Sequence, residues 1–166
     1  MKILKQSRFR LNLVSMSIKI RLAEENDASA LVNFNQAMAM ETEGKSLSTE
    51  TLTKGVKAVF QDANKGFYVV AEDEGKVVGC LMITFEWSDW RNGWFWWIQS
   101  VYVMPEYRGK GVYRQLYEFV KEKAKKTGSI CGFRLYVDRE NKIAQQVYKK
   151  LGMEESNYIM FEESLW

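Results

Sequence analysis

The stretch Tyr107-Arg108-Gly109-Lys110-Gly111 carries the residue types of an anion site. Gly109 and Gly111 let the backbone approach a ligand closely and turn its N–H groups inward, while Arg108, Lys110 and Arg114 add full positive charges. A helix opening directly after such a loop adds unpaired N–H groups and a positive dipole end. The chemistry on offer is the holding of phosphates, although the loop alone is equally consistent with a tight turn whose cations are solvated. Two familiar phosphate loops do not fit. No G-x-x-x-x-G-K-[ST] string occurs, and G-x-G-x-x-G begins at Gly109 and Gly111 but meets Arg114 at its third position. A second chemical cluster lies upstream, where Trp87, Trp90, Trp94, Trp96 and Trp97 surround Glu86 and Asp89. Aromatic faces with acids can hold an amine by cation–π contact and ion pairing, and tryptophans on adjacent strands can also fill a core or cover a dimer interface. For Trp96 and Trp97 the core or interface reading is preferred; for Trp87 and Trp90 both readings stay open.

The elements around the loop must position it. Residues 94–103 are aromatic and β-branched, which predicts a largely buried strand ended by Pro105. From Val112 onward, Val112, Leu116, Phe119, Val120 and Ala124 recur at helical spacing with charged residues opposite, an amphipathic helix. Upstream, Ile18, Ile20 and Leu22 alternate with Lys19 and Arg21 as in a strand with one buried face. Leu31, Phe34 and Met38 then mark a helix starting near Asn26 or Asp27. After a loop at Gly44, a second helix capped by Ser48 or Thr49 carries Leu52, Val56, Val59 and Phe60. Segments 67–71 and 77–87 flank a turn cluster at 72–76 as an antiparallel hairpin, and 94–103 completes a three-strand meander. Downstream come a strand at 131–137 and a short helix capped by Asp138 or Asn141, with Ala144, Val147, Tyr148 and Leu151 on one face and Gly152 as its C′ residue. A last strand is expected at 156–161. This mixed order builds an α/β sheet with helices on both faces.

Composition removes several classes of function. The 166 residues are 46% hydrophobic and 27% charged, ordinary for one globular domain, and a net charge of +3 is too small to argue for nucleic acid or an anionic membrane as the main partner. The chain has no histidine, which removes the commonest general base and metal ligand at once. Cys80 and Cys131 lack ligand spacing and sit in apolar runs, so both are expected as buried reduced thiols, with no metal site and no disulfide. Residues 1–17 spread basic residues among apolar ones without a continuous apolar core. They are expected as a peripheral extension ahead of a single domain at 18–166, with Met16 an alternative start and a cytoplasmic location by default.

The run Arg108-Gly109-Lys110-Gly111-Val112-Tyr113 resembles the signature of the GNAT superfamily of acyl-CoA-dependent N-acyltransferases, [QR]-x-x-G-x-[GA], with Tyr113 standing where the motif has Gly or Ala. The stretch 135–153 is similar to the family's second cofactor motif, N-x-x-A-x-x-x-Y-x-x-x-G-[FM], matched at Asn141, Ala144, Tyr148, Gly152 and Met153. The resemblance covers about 18–161. It implies the GNAT fold: a central mixed, mostly antiparallel twisted sheet with helices on both faces, whose two central strands splay apart to form the cofactor cleft. It further implies that backbone at Val101, Tyr102 and Val103 bonds the pantetheine arm and thioester carbonyl of acetyl-CoA. Arg108, Gly109, Lys110, Gly111, Val112, Tyr113 and Arg114 would hold pyrophosphate, and Asn141, with Ala144 beside it in the motif, would contact the pantetheine or sulfur region. Tyr148 would donate a proton to the departing thiolate, although its spacing also suits a core tyrosine.

A primary amine is mostly protonated at neutral pH, so a carboxylate, or water held by one, must take a proton before attack. Glu86 and Asp89 beside the signature strand, and Glu41 and Glu43 after the first helix, are candidates; each also reads as a solvated surface acid. Glu86 and Glu43 represent the two groups as catalytic candidates. The expected protein is an N-acetyltransferase that moves acetyl directly from acetyl-CoA to an amine of a small molecule, protein or peptide, without a metal, nucleic-acid or membrane partner. A homodimer is compatible with the resemblance. The rivals are a non-catalytic acyl-CoA-binding regulatory module of the same fold and an unrelated nucleotide-binding protein.

Overall fold

A strand apolar at successive positions needs a packed layer on each face, and the second strand of this chain has both. The computed structural model describes residues 17–165. In β2 (Phe67–Asp73), Val69 and Ala71 enter one core while Tyr68 and Val70 enter the other. The first core continues through Leu81 and Ile83 of β3 (Lys76–Ser88) and Trp96 and Ile98 of β4 (Gly93–Val103). It is closed by Val112, Leu116, Tyr117, Val120 and Ala124 of α3 (Val112–Thr127). The second holds Cys80 and Tyr102 under Leu31, Val32 and Phe34 of α1 (Ala28–Glu43) and Val56 and Val59 of α2 (Thr49–Gln61). Each helix buries one stripe, as its apolar spacing requires.

The sheet runs β1-β2-β3-β4-β5, with β1 at Lys19–Leu22 and β5 at Ile130–Arg134. Its first three pairings are antiparallel, and β4 with β5 is parallel. The expected mixed, mostly antiparallel α/β sheet with helices on both faces is therefore present. Parallel pairing covers only Trp94–Trp97 of β4, so residues 98–103 run on with no β5 partner. That one-sided end of β4 is the splay.

Local chemistry sets the boundaries. Ser48 accepts from Thr51 N–H at 3.3 Å to cap α2, and Asn141 accepts from Ala144 N–H at 3.0 Å to cap α4 (Lys142–Lys150). Gly152, at φ +88°, closes α4: its N–H bonds Lys149 O at 3.0 Å and Met153 N–H bonds Tyr148 O at 3.1 Å, a Schellman pair. At α1 the expected cap takes a different role. Asp27 precedes the helix, but its carboxylate accepts from Arg21 at 2.6 and 3.0 Å and from Glu24 N–H at 2.8 Å. Arg21 also reaches Glu72 at 2.8 Å, so one half-buried guanidinium ties β1, β2 and the start of α1 together. Its hydrogen bond holds the Asp27 carboxyl below the usual carboxylate range.

Three expectations are corrected. No strand forms at 156–161: Tyr158 and Phe161 are 85% and 87% exposed, because an apolar run becomes a strand only beside a neighbour that takes its backbone bonds, and none lies there. The strand expected at 131–137 stops at Arg134, where β4 moves away and pairing ends. Cys131 is exposed rather than buried, since β5 is the edge of the sheet. Cys80 is buried, its thiol pushed up to about 12 by burial, and is an inert core thiol. The expected extension at 1–17 lies outside the described residues except for Ser17. No helix among the described residues is long and apolar enough to cross a membrane.

Candidate active site

Where β4 parts from β5, its backbone is also re-aimed. Cys80 pairs with Tyr102 and Met82 with Gln99, so Ser100 and Val101 together face the single residue Leu81, a β-bulge. Ser100 sits at φ +48°, a left-handed conformation that costs a non-glycine residue of order 1 kcal/mol or more and that recurs at functional sites. The bulge takes Ser100 and Val101 out of register with β3 within the run 98–103 that has no β5 partner, and Ser100 O accepts from the Cys80 thiol at 3.4 Å. Sequence reading placed the site at Val101, Tyr102 and Val103 and missed Ser100, since a serine between Gln99 and Val101 gives no local sign of a bulge.

The chain then makes one tight turn at Pro105–Tyr107, pinned by Tyr107 OH donating to Asp73 at 3.0 Å. Gly109 and Gly111 both lie in the left-handed region, at φ +73° and +79°, and a Cβ on either would meet nothing within 4 Å. These glycines are needed for conformation, not for lack of room. Gly111 stands at the N-cap of α3 with no side chain to cap it, and the first helical bond is Gln115 N–H to Gly111 O at 3.1 Å. The amides of Val112, Tyr113 and Arg114 thus have no acceptor among the described residues, and the first turn carries no acid. An anion is what such an end takes.

Arg108 is committed elsewhere. Its Nε donates to Val103 O at 2.8 Å, a second nitrogen donates to Glu41 at 2.8 Å, and its guanidinium lies 5.3 Å over the Tyr102 ring. It braces the loop against β4 and α1, which leaves Lys110 and Arg114 as the loop's cations outside any ion pair among the described residues. On the far side of the cleft, Ala144 is half-buried on α4, and Asn141 uses its carbonyl oxygen as a helix cap. Tyr148 of α4 sits edge-on to Tyr113 with ring centres 5.6 Å apart. Burial raises the Tyr148 pKa above that of free tyrosine, so the phenol stays a proton donor at neutral pH.

The acids fall on the opposite face. Trp96 packs in the α3 core, so its neighbour Trp97 points to the α1 side, where its indole N–H donates to Glu86 at 2.5 Å. Arg134 of β5 donates to the other Glu86 oxygen at 2.5 Å and lies 3.8 Å over the Phe95 ring. Gln99 donates to Thr84 on the same face. These residues form a polar row at the mouth of the splay. Glu41, at the end of α1, accepts from Tyr102 OH at 3.1 Å as well as from Arg108, and burial together with this contact raises the Tyr102 pKa. The structure thus brings Glu86 and Glu41 to the cleft. It leaves Glu43 at the surface, paired with Lys45 at 2.7 Å. Trp87 and Trp90 are exposed, Trp90 by 87%, and Asp89 accepts from Trp90 N–H, so no closed aromatic box surrounds Glu86. Arg134 escaped sequence reading because its partner lies 48 residues away.

Residues 33–153 match the acetyltransferase (GNAT) family. The chain belongs to the GNAT acetyltransferases. Its curated relatives include mouse thialysine N-epsilon-acetyltransferase, 31% identical over 149 residues that span 84% of this chain and 85% of the relative. A solved possible acetyltransferase from Clostridium difficile 630 is 48% identical with a TM-score of 0.83, covering 90% of this chain and 98% of that one. A predicted acetyltransferase with acetyl-CoA from Clostridium acetobutylicum, 22% identical over 88% of this chain and 96% of that one, shares the fold at a TM-score of 0.73. This GNAT enzyme therefore transfers acetyl from acetyl-CoA to an amine. Its residues fit the cofactor: three amides and two cations without a hydrogen-bond acceptor or ion-pair partner among the described residues suit a diphosphate, and the bulged strand edge suits an amide-bearing arm.

Proposed function

We propose that this acetyltransferase acts on the terminal amine of a small basic amino acid or a close analogue, with the amine entering on the α1 face and the cofactor lying on the α3 face. The polar row carries this reading: Glu86 and Arg134 stand side by side at the point where β4 leaves β5. A carboxylate beside a guanidinium offers a partner to each end of such a substrate, Glu86 to the ammonium and Arg134 to the carboxylate. The name of the mouse relative, an acetyltransferase for the ε-amine of thialysine, supports the same class.

When bound, acetyl-CoA supplies an activated acetyl thioester. The amides of Val112, Tyr113 and Arg114, with Lys110, hold its diphosphate, and the backbone from Ser100 to Val103 orients the arm and polarises the carbonyl. Glu86 would take the proton that the ammonium must lose, directly or through a water; Tyr148 would give its proton to the leaving sulfur and regain one from the amine nitrogen, which sheds its second proton as the amide forms. Arg108 and Glu41 position the loop rather than touch the reacting atoms.

CoA release from acetyl-CoA over a panel of amines tests this. Faster release with lysine, ornithine and thialysine than with diamines lacking a carboxylate is the expected outcome. Release confined to peptides or to carboxylate-free amines would overturn it.

A further inference from the structure

Residues 156–161 and the outer edge of β5 are both left open in a single chain. Tyr158, Ile159, Met160 and Phe161 are 85%, 67%, 54% and 87% exposed, four large apolar side chains in succession. No backbone–backbone hydrogen bond holds 156–161 among the described residues, and the Tyr158 N–H turns to the Ser156 hydroxyl at 3.0 Å. β5 pairs with β4 alone, and among the described residues no backbone bond leaves Ile130–Arg134 on the other side. An apolar run without a partner and a sheet edge without a strand are each unfavourable in water, and each supplies what the other lacks.

The edge borders a groove of about 360 Å³, walled by Ile130, Cys131 and Phe133 on one side and by Lys121, Ala124 and Lys125 of α3 on the other. Alternate side chains of a strand added to β5 would enter it. No acid lines this groove; Lys121 lies 5.5 Å over the Tyr117 ring, and Lys125 has an exposed pair with Glu122. The run carries the opposite charge. Glu154 and Glu155 precede it, Glu162 and Glu163 follow it, and no basic residue stands between 154 and 163. Beside the groove, the end of the β3–β4 hairpin adds Trp87 and Trp94, edge-on to each other at 5.0 Å and 48% and 38% exposed.

One chain does not close its own edge. The Schellman turn at Gly152 fixes the exit from α4, and Leu151 and Met153 pack on the α3-side core, after which the run goes out into solvent. We propose that residues 156–161 of one copy add as a strand to the β5 edge of a second copy, and those of the second to the first, closing a two-fold dimer by reciprocal exchange. The aromatic rings exchanged bring about 600–1,000 Å² by themselves, and Ile159, Met160 and the receiving groove carry the total past the ~1,000 Å² that a specific interface needs.

Light scattering on a sizing column and amide hydrogen exchange of the intact chain test this. The expected result is a mass twice that of one chain, with the amides of 156–161 protected although no backbone bond holds them within one copy. Tyr158→Glu combined with Phe161→Glu changes two exposed side chains and should give a monomer with unaltered far-UV circular dichroism and fast exchange at 156–161. A monomeric wild type would overturn the proposal; protection of 156–161 in that monomer would mean pairing with its own β5. A dimer in which 156–161 exchanges fast, or a folded double variant that stays dimeric, would overturn it by placing the contact elsewhere. Should the double variant unfold, the mass and exchange of the wild type decide alone.

Discussion

At the start of α3 the groups proposed for the cofactor are mainly backbone: the left-handed Gly109 and Gly111, and the amides of Val112, Tyr113 and Arg114, which have no acceptor among the described residues. On the α1 side the polar groups are side chains, with Thr84 and Glu86 from β3, Trp97 and Gln99 from β4, Arg134 from β5 and Glu41 from α1. A backbone site is tied to the fold and tolerates changes of side chain, whereas a side-chain site can be rebuilt without moving a strand. Within one sheet, the first design suits a ligand every family member shares and the second an acceptor that differs between members.

Substitutions on each side should separate the two functions. The largest effect is expected at the junction between them. Tyr148→Phe should lower turnover by roughly 10²- to 10⁴-fold, the usual worth of a general acid, while CoA affinity stays nearly constant; unaltered turnover at saturating substrates would remove the acid role. Next, Glu86→Gln should cut kcat/KM for the amine by about 10²-fold without changing CoA binding. A matching loss of CoA affinity would mean that the two faces are not independent. Gly111→Val forces a β-branched residue into the left-handed region and should weaken CoA by about 10-fold. If titration showed full affinity, the loop would not be the diphosphate site. Smaller still, Glu41→Gln should cost no more than a few-fold in CoA affinity, since its pair with Arg108 is largely exposed.

A pH effect separates the core from both faces. Cys80 and Tyr68 are pushed up to about 12 by burial, from ordinary values of 9.0 and 10.0. Above pH 9 the unfolded chain loses these protons first, so the native state holds more of them and stability falls as pH rises. Urea midpoints at pH 8, 10 and 11 should decline in that order, and a flat series would contradict the burial of these groups.

Much of the fold was legible because local chemistry and tertiary context agree. The Ser48 and Asn141 caps, the Gly152 stop and the turn between β2 and β3 each act within a few residues. Prediction failed where an outcome depended on a distant neighbour. The run at 156–161 is as apolar as a strand but has nothing to pair with, and β5 ends where β4 turns away. The site divides along the same line. Two glycines and a helix start mark the loop in a single short run. Glu41 and Arg108 meet across 67 residues, and Glu86 and Arg134 across 48, so only the assembled sheet distinguishes Glu41 from Glu43 or gives Glu86 its partner.

The separation of cofactor and acceptor faces is most directly tested by amide hydrogen exchange with and without CoA. The amides of Val112, Tyr113 and Arg114 have no acceptor among the described residues, so they should exchange fast in the free protein and slow strongly with CoA, together with those near Ser100, while the loop at 44–48 stays unchanged. Unaltered exchange at 112–114, with protection at the α1–α2 loop instead, would contradict the assignment of the two faces.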